Sequence, residues 1–265
     1  MKCIRILISI TILGMVNDRR NSSRLPGQRI LTGTVAFLIA TDDTILIASD
    51  TKQVEFRNNV ITKSDTVCKI EKKGNMVYVI AGIFVSINPD TGLDIDLDKT
   101  INALNLDGQT FELKIKEIKN AIKQPIREIA QSMKKYQVDL FNVMSTSGQF
   151  VSLLLGSFEN GKPVSAFINF KIQSDQNGGF EIVDTFSCKA ETPRFLNIGK
   201  SEAFNFAVNS NGVFSKQFKS YVELLNGLVQ LQSTLTPNDV GMPADIIEIT
   251  KDKITWVQKN QKCDE

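Results

Sequence analysis

The chain has 265 residues, 42% hydrophobic and 23% charged, with 31 basic side chains, 29 acidic ones and no histidine. That length and apolar content suit one compact domain with a sizeable core. Without imidazole, Ser-His-Asp and Cys-His catalysis are excluded, and a zinc site is argued against. No dense basic patch with interleaved aromatics occurs, so nucleic acid is not an expected partner. Four cysteines (Cys3, Cys68, Cys188 and Cys263) show no paired metal spacing and are too few to suggest a disulfide scaffold.

The charge is unevenly placed. Residues 1–33 hold six basic side chains against Asp18, a net of +5, which leaves about −3 for residues 34–265. A basic start and an apolar run from Ile6 to Val16 have the shape of a signal-peptide core, too short to span a bilayer. No small-x-small cleavage site follows it. Both a cytoplasmic and an exported location therefore stay open. The polar, arginine-rich stretch Asn17 to Gly33 reads as a linker or propeptide, making residues 1–33 a leader and 34–265 the domain.

Thr34–Thr41 and Thr44–Asp50 are β-branched apolar runs about Asp42-Asp43, a hairpin signal. Gln53–Ser64 is polar and reads as a loop or a ragged strand pair. Lys69–Glu71 and Met76–Ala81 flank a second turn, and Ile83–Asp107 looks irregular. From Phe111 to Tyr136, isoleucines recur at three- and four-residue steps, predicting a helix kinked or broken at Pro125. Gln149–Phe158, Val164–Ile172 and Phe180–Cys188 read as strands. Lys200–Val208 and Ser215–Gln232 read as helices, and Ile246–Thr250 with Ile254–Val257 as a closing hairpin. This order contradicts alternating βαβ units and points to an α+β fold.

Gly33-Thr34 opens the first strand. A threonine hydroxyl is a poor nucleophile unless a neighbouring base takes its proton. Cutting before Thr34 would free an α-amine whose pKa near 8 makes it usable at neutral pH.

These residues resemble the proteasome-type peptidases of the N-terminal nucleophile hydrolases. The β-type subunits of that family begin at a threonine exposed by cutting after glycine. They carry an aspartate sixteen residues on, matched by Asp50 in Ala48-Ser49-Asp50-Thr51-Lys52. Lys69-Ile70-Glu71 matches the family's lysine. Met76 to Gly82 matches its strand ending in Ala-Gly, Leu153 to Val164 its mid-chain hairpin, and Thr236 to Ile249 its closing segment. The resemblance covers about residues 33–257.

It implies a four-layer αββα sandwich of about ten strands, with Thr34–Asp50 central. It also implies a threonine-type peptidase or amidohydrolase, autoprocessed at Gly33-Thr34, acting on peptides or small amides without cofactor or metal. In the implied catalytic set, Thr34 is nucleophile and Lys69, held by Asp50, sets the electrostatics. Gly82 N–H faces the oxyanion, and Asp239 is the acidic partner. Val67, Ile80 and Phe84 flank the specificity pocket and suggest an apolar preference. Ring-like homo-oligomers built on helix faces are implied too. Ile198 and Met242 stand where the family carries supporting serines.

Two other readings compete. One is a catalytically inactive proteasome-like assembly or binding subunit. The other is a serine acylase, since Ser49-Asp-Thr-Lys52 fits Ser-x-x-Lys; that motif must open a helix, whereas Ser49 closes a strand-like run.

Overall fold

The computed structural model describes residues 28–33, 35–57, 60–87, 92, 94–175, 178–189, 192–210 and 212–263. The strands are β1 (Arg29–Gly33), β2 (Val35–Ala40), β3 (Ile45–Ser49), β4 (Lys52–Arg57), β5 (Val60–Thr66), β6 (Ile70–Lys73) and β7 (Met76–Ile87). They continue as β8 (Asp94–Asp96), β9 (Val151–Glu159), β10 (Lys162–Ser174), β11 (Phe180–Lys189), β12 (Arg194–Gly199), β13 (Asp245–Ile249) and β14 (Ile254–Gln258). Helices are α1 (Leu97–Asn102), α2 (Phe111–Tyr136), α3 (Val138–Ser147), α4 (Glu202–Asn209) and α5 (Tyr221–Leu235).

The strands form two antiparallel sheets. The larger has nine strands, in the order β11-β10-β9-β7-β1-β4-β5 with β6 and β8 both paired to β7. The smaller runs β12-β2-β3-β13-β14. This corrects the expected four-layer αββα sandwich. Strand accounts for 43% of the described residues and helix for 31%, and the helices are too few to complete a layer on each sheet. Among the described residues fourteen strands stand against the ten expected, since Arg29–Gly33, read as part of the leader, pairs as β1, and Gln53–Ser64, read as a loop or a ragged strand pair, falls in the paired strands β4 and β5. Their polar side chains are compatible with strands because β5 is exposed along its whole length, and an exposed strand face needs no apolar residues.

Inward-facing residues of the two sheets meet in one cluster, including Leu38, Ile47, Val79, Leu154 and Ile247. A second cluster lies between the large sheet and α1–α3, a third between the small sheet and α4–α5. In α2 the buried stripe Ile115, Ile118, Ile122, Ile126 and Ile129 runs straight past Pro125, and the helix is unbroken. Each such side chain gains roughly 1.5–3 kcal/mol on burial, enough in sum to outweigh the proline's missing N–H. Thr110 caps its first turn by accepting from Leu113 N. Leu113 is the one large hydrophobic of α2 that is exposed, so this helix offers no apolar outer stripe for ring stacking. Among the described residues, no helix is long and apolar enough to cross a membrane.

Candidate active site

The chain passes from the large sheet to the small one between Gly33, the end of β1, and Val35, the start of β2. Thr34, the expected nucleophile, lies outside the described residues, as does most of the expected leader. Everything around the junction is described. The last residues of that expected leader are held in the sheet: β1 is hydrogen-bonded between β4 and β7.

Asp50 follows β3, central in the small sheet, and is fully buried. Its Oδ1 accepts from Lys69 Nζ at 2.7 Å and from Val35 N at 3.2 Å. Its Oδ2 accepts from Lys52 N at 3.0 Å and Gly241 N at 3.2 Å. Three backbone donors and an ammonium therefore satisfy the carboxylate, the condition under which a buried charge is tolerated. Lys69 precedes β6 and its side chain is only 4% exposed. Burial pulls its ammonium below the ordinary lysine range, while Asp50 and then Asp245 hold it up.

Gly33 lies against this pair: a Cβ built on it would come within 2.9 Å of the Ile80 carbonyl oxygen and 3.8 Å of Lys69 Cδ. Close approach therefore explains the glycine. Its register partner across the ladder is Gly82, whose φ of +90° and proximity to the Phe150 carbonyl, 2.2 Å from a built Cβ, exclude any side chain. Gly33 and Gly82, with Thr32, Phe150, Lys200 and Asp239, help line a cavity of about 240 Å³.

The other expected residues are placed differently from one another. Asp239 sits at the cavity, ion-paired to Lys200 at 3.2 Å. Val67 does not line the cavity and its carbonyl is bound by Asn260. Ile80 turns its side chain into the core beneath α2 and offers Gly33 only its carbonyl. The Phe84 ring alone approaches, with Cε1 3.6 Å from a Cβ built on Gly33. Ile198, standing for a serine, pairs with Ala36 and packs into the inter-sheet cluster; Met242 is exposed.

The Ser-x-x-Lys reading finds no helix. Ser49 ends β3, buried, with its hydroxyl 3.2 Å from the Val35 carbonyl and 3.0 Å from that of Asp50. Lys52 Nζ instead donates to the Pro237 carbonyl at 2.7 Å.

Sequence reasoning missed three contributors. Asp245, paired in register with Ser49, is fully buried behind Asp50. Burial, with Asp50 beside it, pushes its carboxyl up to about 6 against the two N–H bonds from Asn260. Cys68, next to Lys69, is bonded to Cys263 across 195 residues. These two sulfurs and Asp245 are grouped closely enough to suggest a metal site, but the sulfurs are bonded to each other and are not thiolate ligands. Glu55, buried on β4, holds Arg29 and Arg57. Of these, only Asp245 lies in a stretch with a sequence signal, the closing segment Thr236 to Ile249.

No protein-family profile matches the chain, and no curated protein matches it in sequence.

Proposed function

We propose that this chain is a threonine amidohydrolase resembling the proteasome-type peptidases, cutting itself at Gly33-Thr34 and then hydrolysing peptide or small-amide bonds. The observation that carries the reading is the buried Lys69–Asp50 pair. It bonds Val35 N on one side of residue 34 and lies against Gly33 on the other. A desolvated ammonium with a lowered pKa, beside a hydroxyl, favours the alkoxide and can exchange a proton with it.

In self-cleavage the Thr34 hydroxyl attacks the Gly33 carbonyl carbon and gives its proton to water, the Lys69 ammonium favouring the alkoxide as it forms. Gly82 N–H, across the ladder, is the proposed oxyanion donor; such a donor contributes roughly 3–4 kcal/mol in known cases. The carbon–nitrogen bond breaks, the nitrogen takes a proton, and an ester joins the Gly33 carbonyl to the threonine oxygen. Water then hydrolyses the ester to a Gly33 carboxylate and a free Thr34 with its α-amine. That amine serves as base in turnover on a second substrate, through the same attack, ester and hydrolysis. The Lys200–Asp239 pair borders the same cavity and is available to substrate on that side.

Intact-mass measurement of purified wild type tests this: loss of residues 1–33 is expected. Thr34→Ala should retain them. Lys69→Met should retain them too, while losing about 3–5 kcal/mol of stability because Asp50 is left buried without its cation. A folded wild type that stays whole would overturn the reading and favour a non-catalytic subunit, whose β1 remains seated between β4 and β7.

A further inference from the structure

β1 is an extended segment whose last residue is Gly33, held antiparallel on both sides in the slot between β4 and β7. Under the proposed function, that slot is vacated when the leader leaves, and a substrate enters where β1 lay. The lining residues therefore record what the slot accepts.

Counting back from the cut, Gly33 is constrained by the Ile80 carbonyl and Ile30, the fourth residue, is fully buried beneath the helices. Arg29, the fifth, donates from Nε to Glu55 Oε2 at 2.8 Å. Glu55 is 5% exposed. Its other oxygen, Oε1, accepts from Arg57 Nε at 2.7 Å and lies 3.3 Å from Thr62 Oγ1. Arg57 and Thr62 belong to the body of the domain and stay after processing. Arg29 does not. Its departure deprives Oε2 of its ion partner, and a carboxylate oxygen in a slot lined by strands is costly to leave unpaired.

We propose that Glu55 is a specificity-determining residue, selecting extended peptides with a basic side chain five residues before the cut and glycine immediately before it. The leader is the built-in example of that substrate class. This rests on the threonine hydrolase reading.

The test follows the rate of leader loss by mass in four chains: wild type, Arg29→Glu, Glu55→Arg and the double swap. Each single swap sets like charges against each other across this part-buried pair, which should slow processing by about tenfold. The double swap should recover most of the rate. Because Glu55→Arg places a third guanidinium beside those of Arg29 and Arg57 and can misfold, Glu55→Gln is the second variant. Processed wild type should also cleave a peptide ending Arg-Ile-Leu-Thr-Gly before its leaving group at least about tenfold better in kcat/KM than its Glu-Ile-Leu-Thr-Gly counterpart. Processed Glu55→Gln should lose that preference. Equal rates across the swaps and across the peptides, with wild type still processed, overturn the role of Glu55 and leave the hydrolase reading standing. A wild type that is never processed overturns both.

Discussion

Gly33 and Gly82 face each other across the β1–β7 ladder, and each excludes a side chain for a different reason. At Gly82 the backbone sits at φ +90° and a Cβ would overlap the Phe150 carbonyl. At Gly33 a Cβ would press on the Ile80 carbonyl beside Lys69. The bare backbone at the sheet-to-sheet junction is a consequence of both.

Substituting the two glycines should therefore separate folding from processing. Gly82→Ala forces both a left-handed residue and a backbone clash, so it should cost about 3 kcal/mol or more in chemical denaturation. Gly33→Ala meets one carbonyl at 2.9 Å and should cost about 1 kcal/mol, while slowing leader loss by displacing the Gly33 carbonyl from the junction. If Gly33→Ala is processed at the wild-type rate, the junction is looser than the structure indicates.

Asp245 should give stability a distinctive pH dependence. Its folded pKa of about 6 exceeds the ordinary 3.8, so between pH 4 and 6 the folded chain holds the proton more tightly than the unfolded one. The contribution is thus full below pH 4 and is lost as pH rises through 6, amounting to about 3 kcal/mol. Urea unfolding of wild type and Asp245→Asn at several pH values checks it. The stability of wild type relative to the variant should fall across that window, and a flat difference would mean that Asp245 titrates normally.

The Cys68–Cys263 bond ties the tail after β14 to the residue before Lys69. Closing a loop of 195 residues is worth up to about 5 kcal/mol by the chain-entropy account. Reduction, or Cys68→Ser, should lower the unfolding midpoint, and reducing Cys68→Ser should lower it no further. Among the described residues Cys68 and Cys263 form the bridge and Cys188 is free, so the denatured, unreduced chain 34–265 should titrate one thiol and the reduced one three.

Much of the local structure was legible in the sequence because single elements carry their own signals. Asp42-Asp43 marks the β2–β3 hairpin, and the isoleucine stripe marks α2, although the kink or break expected at Pro125 gives way to one continuous helix. Segments whose structure depends on neighbours were not legible. Arg29–Gly33 reads as a polar leader because only strands β4 and β7, which are distant in sequence, supply its ladder. Gln53–Ser64 reads as a loop or a ragged strand pair, and pairing of β4 with β5 decides for the strands, because the exposed edge strand β5 has no apolar alternation of its own. Helix α1 and strand β12 lie in stretches with no periodicity of their own. The expected four-layer sandwich failed because the helices are too few to cover each sheet, and how much of a sheet a helix covers is set by tertiary packing, not local pattern.

For the site, the sequence by itself determined the candidates: Asp50 and Lys69 with their spacing, the glycines at 33 and 82, and the absence of any imidazole. Which of those groups meet was decided by tertiary structure alone. Two sheets packed face to face bury Lys69 on Asp50, bring Asp245 behind them, and leave Asp239 outside with Lys200. Linear order cannot set these distances, because each depends on strand register and on burial that lowers the local dielectric. Register turned Arg29 toward Glu55, and the fold buried that carboxylate where a charge must have a partner.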